Sequence, residues 1–143
     1  MHFRKMVYVS GIMSRNCTLL CTGVISHKGV GISIGNNTGI NAYCFFGGQG
    51  GIDIGNNVII GPQVKIFSEN HNFSDKNNII KNQGVTRQGV KIESDCWIGS
   101  GATILDGVIL KSRTVVAAGS VVTKSFEEKS LIGGVPAKLI KNI

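Results

Sequence analysis

Aliphatic side chains recur at every sixth position along much of the chain. The longest run is Ile92, Ile98, Ile104, Leu110, Val116 and Val122, and shorter runs in the same phase are Ile34, Ile40, Phe46 and Ile54, Ile60, Ile66. A second set lies four positions after residues of the first set. Its members are small or apolar, except for the bulky last one: Thr38, Cys44, Val58, Val64, Cys96, Ala102, Val108, Thr114, Ser120 and Phe126. Gly, Asn and Asp residues stand between the two sets. This pattern indicates short repeating units separated by turns.

A period of six residues matches neither the 3.6-residue period of an α-helix nor the two-residue alternation of a long strand. It is typical of very short strands that each point one aliphatic side chain at a common axis. Successive coils then pair their backbones about 4.7–4.9 Å apart. We therefore predict a mainly β protein, a parallel β-helix. The alternative, a β-sandwich with frequent turns, would not hold a strict phase over the 31 residues from Ile92 to Val122.

The phase is interrupted twice and is weak at one end. Two extra residues fall within Gly47–Gly51, and residues 67–91 leave the repeat as a polar loop. Loops that a solenoid ejects often belong to its binding surface. Residues 1–29 are expected to form an irregular cap or the first coils. At the other end, Pro136 is predicted to open a short C-terminal helix, because proline suits the first position of a helix.

Length and composition agree with one β domain over residues 1–143. The chain has 33 Ile and Val residues against 6 Leu, and 20 Gly against 2 Pro. An excess of β-branched residues favours strands over a helical bundle. No apolar stretch approaches the roughly 18 residues that span a bilayer. The charged N-terminus is not followed by the apolar core and cleavage site of a secretion signal, so we expect a cytoplasmic protein.

The net charge of +7 indicates an anionic partner. Nucleic acid is disfavoured, because aromatic residues make up only 6% of the chain and no basic run is interleaved with them. A phosphorylated cofactor or an anionic glycan fits the charge equally well. The four cysteines, at positions 17, 21, 44 and 96, lack the context of a disulfide framework and the spacing of a zinc site. We expect them to be buried thiols and expect no metal.

Five ordered motifs resemble the hexapeptide-repeat acyltransferases, and among them the maltose, galactoside and polysaccharide O-acetyltransferases. They are GNNVIIGP at 55–62, SENH at 68–71, CWIGSGA at 96–102, AGSVVTK at 118–124 and GVPAK at 134–138. The resemblance extends over about residues 32–143. It implies a left-handed parallel β-helix, acetyl-CoA as acyl donor, and a homotrimer with active sites between neighbouring subunits.

The resemblance also implies two catalytic residues. His71 matches the family's catalytic histidine, and an imidazole that titrates near neutrality is suited to take the proton of a sugar hydroxyl. Asn41 matches the active-site asparagine, whose amide can orient the acceptor or donate to a developing oxyanion. Without the resemblance, His71 could be a surface histidine of a polar loop and Asn41 an ordinary corner residue.

Further residues match positions that bind the two substrates. For the CoA donor these are Trp97, Ser100, Ala118, Thr123, Lys124 and Lys138, of which the lysines suit the phosphates. For the acceptor we expect Gln49, Glu69 and Asp75 to contribute, although solvated carboxylates are the simpler interpretation of the last two. Several relatives have an acidic residue near Gln49. This difference leaves the acceptor open.

The expected function is therefore acetyl-CoA-dependent O-acetylation of a sugar or polysaccharide precursor. The alternative is N-acylation of a nucleotide-linked amino sugar. A zinc-dependent carbonic anhydrase on the same fold is disfavoured because it requires three imidazole ligands, and the repeat region contains only His71. A non-catalytic β-helix scaffold is the remaining class, and binding of acetyl-CoA separates it from the enzymes.

Overall fold

The chain coils through three parallel sheets. A computed structural model describes residues 8–9, 11–21 and 30–143. The first three coils contain β1 (Tyr8–Val9), β2 (Ile12–Met13), β3 (Thr18–Leu20), β4 (Ile32–Ile34), β5 (Gly39–Ile40), β6 (Phe45–Gly47), β7 (Ile52–Ile54), β8 (Ile59–Ile60) and β9 (Lys65–Phe67). The fourth and fifth contain β12 (Val90–Ile92), β13 (Trp97–Ile98), β14 (Thr103–Ile104), β15 (Ile109–Leu110), β16 (Val115–Val116) and β17 (Val121–Val122). Each coil thus consists of three short strands joined by three corners.

The strands stack in register along the three faces of a prism. Sheet A has the order β1-β4-β7-β12-β15, sheet B begins β2-β5-β8-β13-β16, and sheet C has the order β3-β6-β9-β14-β17. Ile98, for example, pairs with Ile60 of the coil before and Val116 of the coil after. Eighteen residues, or three hexads, therefore complete one regular coil, and the predicted parallel β-helix is confirmed.

The core lies along the axis of the prism. The aliphatic residues of both hexad sets are buried, and the largest, including Phe46, Ile60, Ile98 and Leu110, have essentially no exposed surface. Only one or two side chains of each strand can point inward because successive residues face opposite sides of a sheet. One inward side chain per short strand produces the six-residue period.

The corners between sheets are tight turns in left-handed backbone conformation. Eight residues other than glycine have positive φ in the described part of the chain: Asn16, Asn37, Tyr43, Asn57, Gln63, Asp95, Arg113 and Lys129. Glycine and asparagine tolerate this conformation best. We name the corners AB, BC and CA after the sheets that they join.

The long connections of the described coils lie at the CA corner. The segment 48–51 connects β6 to β7, and residues 68–89 connect β9 to β12. The longer connection contains the antiparallel pair β10 (Asn70–His71) and β11 (Val85–Thr86), with a single 3₁₀ turn at Ile80–Asn82 between them. The ejected loop is thus slightly shorter than the predicted 67–91, because its end residues belong to the coil strands.

The predicted C-terminal helix is wrong. The chain ends in β18 (Ser130–Gly134), which joins sheet B parallel to β16, and β19 (Ala137–Asn142), which pairs antiparallel with β18. Gly134, at φ +102°, ends β18, and Val135 and Pro136 form the turn between the two strands. A helix would leave the backbone groups along the outer edge of β18 unpaired, whereas β19 satisfies them.

The described residues of the N-terminal segment form the first coil. Strands β1, β2 and β3 pair parallel with β4, β5 and β6. The remaining parts of the predicted segment 1–29, namely residues 1–7, 10 and 22–29, lie outside the described residues.

Candidate functional site

The BC corner carries three of the predicted site residues in one row. Asn41 follows β5, Ser100 follows β13 and Ala118 follows β16, so they lie on the second, fourth and fifth coils. Since coils are about 4.8 Å apart, the row extends over about 14 Å. The structure thus brings together along one edge residues that are 77 positions apart in sequence.

Asn41 is held by its neighbours and still offers polar groups to solvent. Its backbone N–H and its side-chain Nδ2 both donate to the carbonyl oxygen of Ile60, at 3.0 and 3.3 Å. Its own carbonyl accepts from Cys17 Sγ at 3.1 Å. Within the described residues no hydrogen bond engages Oδ1, so this oxygen can accept a hydrogen bond from a bound ligand.

On the fourth and fifth coils the BC corner is exposed and carries no large side chain. A Cβ atom on Gly99 would lie 2.5 Å from the backbone nitrogen of Ala118, so the corner backbones stack too closely for a side chain there. Gly101 and Gly119, in contrast, adopt positive φ and face open space. A narrow, extended molecule can therefore lie against Ser100 and Ala118 without obstruction.

Trp97 and Lys138 flank this row. Trp97 lies on the outer face of sheet B and is 54% exposed. Lys138 lies on β19 opposite Gly133, whose position is one coil above Ala117. Lys138 thus lies on the β18–β19 pair that caps the C-terminal end of the row, where its ammonium group can meet an anion.

His71 projects from a different corner. It lies on β10 of the ejected loop at the CA corner, opposite Val85 on β11. The residue is exposed, and no described residue hydrogen-bonds to its imidazole. The ring nitrogens are therefore accessible to an incoming ligand.

An ion pair closes the base of the loop that carries His71. Arg87 Nε donates to Glu69 Oε2 at 2.6 Å, and both side chains are at most 20% exposed. In the antiparallel register Glu69 and Arg87 form the next pair below Asn70 and Thr86. Residues two apart on a strand share a face, so the ion pair lies on the same face as His71.

Two buried polar side chains attach this loop to the coils. Ser68 Oγ donates to the carbonyl of Gly47 at 2.6 Å and accepts from the N–H of Gly50 at 2.9 Å. Asp106 accepts from the backbone N–H groups of Gln88 and Gly89 at 2.8–3.1 Å. The root of the loop is therefore fixed at both ends.

Four other predicted residues also lie at the CA corner. Thr123 and Lys124 follow β17, and Lys124 Nζ lies 5.7 Å from the centre of the Phe126 ring. Gln49 lies in the short connection after β6, where its carbonyl accepts from Val30. Asp75 lies in the ejected loop. The structure therefore divides the predicted site between two edges of one chain.

Asp75 is engaged within the loop itself. Its Oδ1 accepts from the N–H of Asn77 at 2.9 Å. Its backbone N–H and C=O both bond to the amide of Gln83, and Gln83 Nε2 also donates to Asn78. This side-chain amide braces the outer part of the loop.

Sequence reasoning missed Arg87, Gln83 and Asp106. Arg87 and Gln83 are ordinary polar residues of an irregular loop, and Asp106 stands before Gly107 in what reads as a turn. The cross-strand position of Arg87 opposite Glu69 could have been found only by assuming a hairpin. Asp106 gives no such signal, because its partners are backbone groups.

All four cysteines are free thiols; Cys44 and Cys96 are buried, as predicted, whereas Cys17 and Cys21 are only partly buried. Burial raises the pKa of Cys44 and of Cys96 to about 11, so both remain protonated at neutral pH. Residues 8–9, 11–21 and 30–143 contain no group of three or more His, Cys, Asp or Glu that could hold a metal ion. In the same residues no helix is long and apolar enough to cross a bilayer.

The six-residue repeat of this chain matches that of a known protein family. Residues 89–124 match the family described as bacterial transferase hexapeptide (six repeats). The chain belongs to the hexapeptide-repeat transferases. Its fold is the left-handed parallel β-helix of these proteins.

Solved hexapeptide transferases share most of the fold. A maltose O-acetyltransferase from Clostridium difficile is 30% identical, with a TM-score of 0.79 over 93% of this chain and 66% of that chain. A hexapeptide-repeat acetyltransferase from Vibrio cholerae, solved with acetyl-CoA, is 27% identical, with a TM-score of 0.75 over 94% of this chain and 71% of that chain.

Sequence relatives are longer than this chain. The galactoside O-acetyltransferase of Lactococcus lactis is 33% identical over 92 residues, which are 64% of this chain and 44% of that protein. The first three curated relatives are matched over 55%, 60% and 35% of their length.

Proposed function

We propose that the protein transfers the acetyl group of acetyl-CoA to a hydroxyl of a sugar or polysaccharide precursor. The observation that carries this proposal is the smooth row at the BC corner, with Asn41 on the second coil and Lys138 near the cap. The similarity to O-acetyltransferases, one of them solved with acetyl-CoA, supports it.

In the proposed reaction His71 acts as general base. Its imidazole takes the proton of the acceptor hydroxyl while the oxygen attacks the thioester carbon. The C–S bond breaks, and the imidazolium returns the proton to the CoA sulfur. Asn41 binds the acceptor hydroxyl or the developing oxyanion through its amide. Neither buried cysteine is needed, because the acetyl group passes directly between the substrates.

We assign the donor-binding residues along the extended CoA molecule. The pantetheine arm is narrow and extended, and it fits against Ser100 and Ala118 beside Trp97. The phosphates at the other end of CoA are anionic, so Lys138 binds them through charge-assisted hydrogen bonds. Thr123 and Lys124 follow β17 at the CA corner, so in the proposed trimer they meet the phosphates from the neighbouring subunit.

The proposed site requires a second copy of the chain. His71 projects from the CA corner and Asn41 from the BC corner, so we propose that each site combines edges of two subunits in a homotrimer. An exposed apolar stripe on sheet B supports this assembly. Ile12, Ile59 and Trp97 are 82%, 58% and 54% exposed and lie in one cross-strand row with Gly39. Exposed apolar patches of this kind are typical of interfaces.

The proposal is tested by measuring the release of CoA thiol from acetyl-CoA in the presence of each candidate acceptor. The acceptors are maltose, a methyl galactoside and nucleotide-linked amino sugars. Acceptor-dependent release should fall about a hundredfold or more in His71→Ala, because general-base catalysis contributes about 10²–10⁴. Thr86→Ala, on the same hairpin, is the control. Equal rates in His71→Ala and wild type would contradict the role of His71. Turnover with amino sugars alone would establish the N-acyltransferase alternative.

The cytoplasmic location of the protein stays a prediction.

A further inference from the structure

Tyr43 adopts a backbone conformation that its side chain disfavours. Its φ is +62°, at the BC corner of the second coil. The equivalent positions on the neighbouring coils are Asn16 and Gln63, and those on the fourth and fifth coils are Gly101 and Gly119. For a bulky residue a positive φ is an outlier, and such strain persists where function requires it.

No contact in the described structure compensates for this strain. The Tyr43 side chain is 54% exposed, and its hydroxyl forms no hydrogen bond with a described residue. The ring stacks on no described aromatic residue, whereas Phe45, two positions later, packs against Phe67 at 5.6 Å. The turn is held by the Tyr43 backbone N–H, which donates to Arg15 at 3.2 Å, and most other residues would supply the same N–H.

The position of Tyr43 points to the acceptor. It lies two residues after Asn41, on the exposed side of the same corner. The row proposed for CoA rises from Ser100 toward Lys138 near the cap, so Tyr43 lies at its opposite end. The reacting thioester would approach Asn41, and the acceptor must then occupy the space beyond it.

We propose that Tyr43 binds the sugar acceptor. Its ring serves as a flat platform for the C–H face of a pyranose, since the face of an aromatic ring carries partial negative charge. Its hydroxyl donates to or accepts from a hydroxyl group of the sugar. This inference rests on the proposed function, because it names the acceptor-binding residue of that same site.

The test uses the variant Tyr43→Asn. The first coil has an asparagine, Asn16, at the equivalent position. Asparagine tolerates positive φ, so the variant should unfold at a temperature no lower than the wild type. The KM for the best sugar among maltose and methyl β-galactoside should rise about tenfold or more, with the KM for acetyl-CoA unchanged. Tyr43→Phe keeps the platform and loses only the hydroxyl, so its acceptor KM should lie between the values of the wild type and Tyr43→Asn. Lys129→Asn, at φ +56° on the AB corner, is the matched control and should change neither KM.

Equilibrium titration with the same two sugars separates this inference from the proposed function. Sugar binding that weakens in Tyr43→Asn supports the role of Tyr43, even if the wild type releases no CoA and the proposed reaction fails. An unchanged acceptor KM or affinity in Tyr43→Asn would overturn it, as would a wild type that binds neither sugar. A lower unfolding temperature together with a smaller sedimentation mass would show that Tyr43 supports subunit contact instead.

Discussion

Removal of the Asp106 carboxylate should release the ejected loop from the next coil of the β-helix. Asp106 is 8% exposed, and its Oδ1 accepts from the N–H groups of Gln88 and Gly89 at 2.9 and 2.8 Å. A hydrogen bond to a charged group contributes about 1.5–3 kcal/mol. Because both bonds share one carboxylate they are not additive, and we expect Asp106→Ala to lower the free energy of unfolding by about 3 kcal/mol. Asp106→Asn keeps an acceptor oxygen and should cost about 1 kcal/mol.

Urea unfolding at fixed protein concentration measures the global effect, and amide hydrogen exchange measures the local one. The amides of Gln88 and Gly89 should lose protection in Asp106→Ala more than amides of the sheet core do. Asp95→Asn is the control, because asparagine tolerates the positive φ of this exposed residue and the ion pair of Asp95 with Arg113, at 3.6 Å, is worth about 0–1 kcal/mol. Unchanged protection at Gln88 and Gly89, or a loss of stability in Asp95→Asn equal to that in Asp106→Ala, would refute this role of Asp106.

Two further predictions concern the hairpin and the buried thiols. Arg87→Met should lower kcat about tenfold with the acetyl-CoA KM unchanged, because the hairpin that carries the proposed base loses its clamp to Glu69. Arg87→Lys should recover part of the rate, and equal rates in both variants would contradict the positioning role. Burial raises the pKa of Cys44 and Cys96 from 9.0 to about 11, so their contribution to stability is complete below pH 9 and is lost as the pH rises to about 11. The urea midpoint should fall over this interval, and less steeply in a Cys44→Ala/Cys96→Ala double variant; parallel pH profiles would contradict the assignment.

The repeat could be predicted from the sequence because its cause is local. Each short strand directs one aliphatic residue inward, as Ile92, Ile98 and Ile104 do, and the next strand follows six residues later. The glycine and asparagine residues between them allow the corners to turn. Neither feature depends on distant parts of the chain. The polar character of the loop after Phe67 was equally visible, since a segment without apolar periodicity cannot enter the core.

The end of the chain was predicted wrongly because its structure depends on an edge. Pro136 is compatible with the first turn of a helix and with a turn between strands. The second outcome occurs because β18 extends sheet B and exposes unpaired backbone groups, which β19 then pairs. No local pattern in residues 137–142 predicts a strand, because only Ala137 is buried.

The amino-acid sequence was sufficient for the coil, the inward-facing core and the motifs that name the family, because a six-residue period reports directly which side chains face the axis. It was not sufficient for the arrangement of the proposed site. Three hexads per coil stack Asn41, Ser100 and Ala118 on one corner, whereas the insertion at the CA corner carries His71 away on another. Which side chains share an edge depends on the register between coils. Hydrogen bonds between backbones far apart in sequence, together with residues such as Asp106 that fix the loop, set that register.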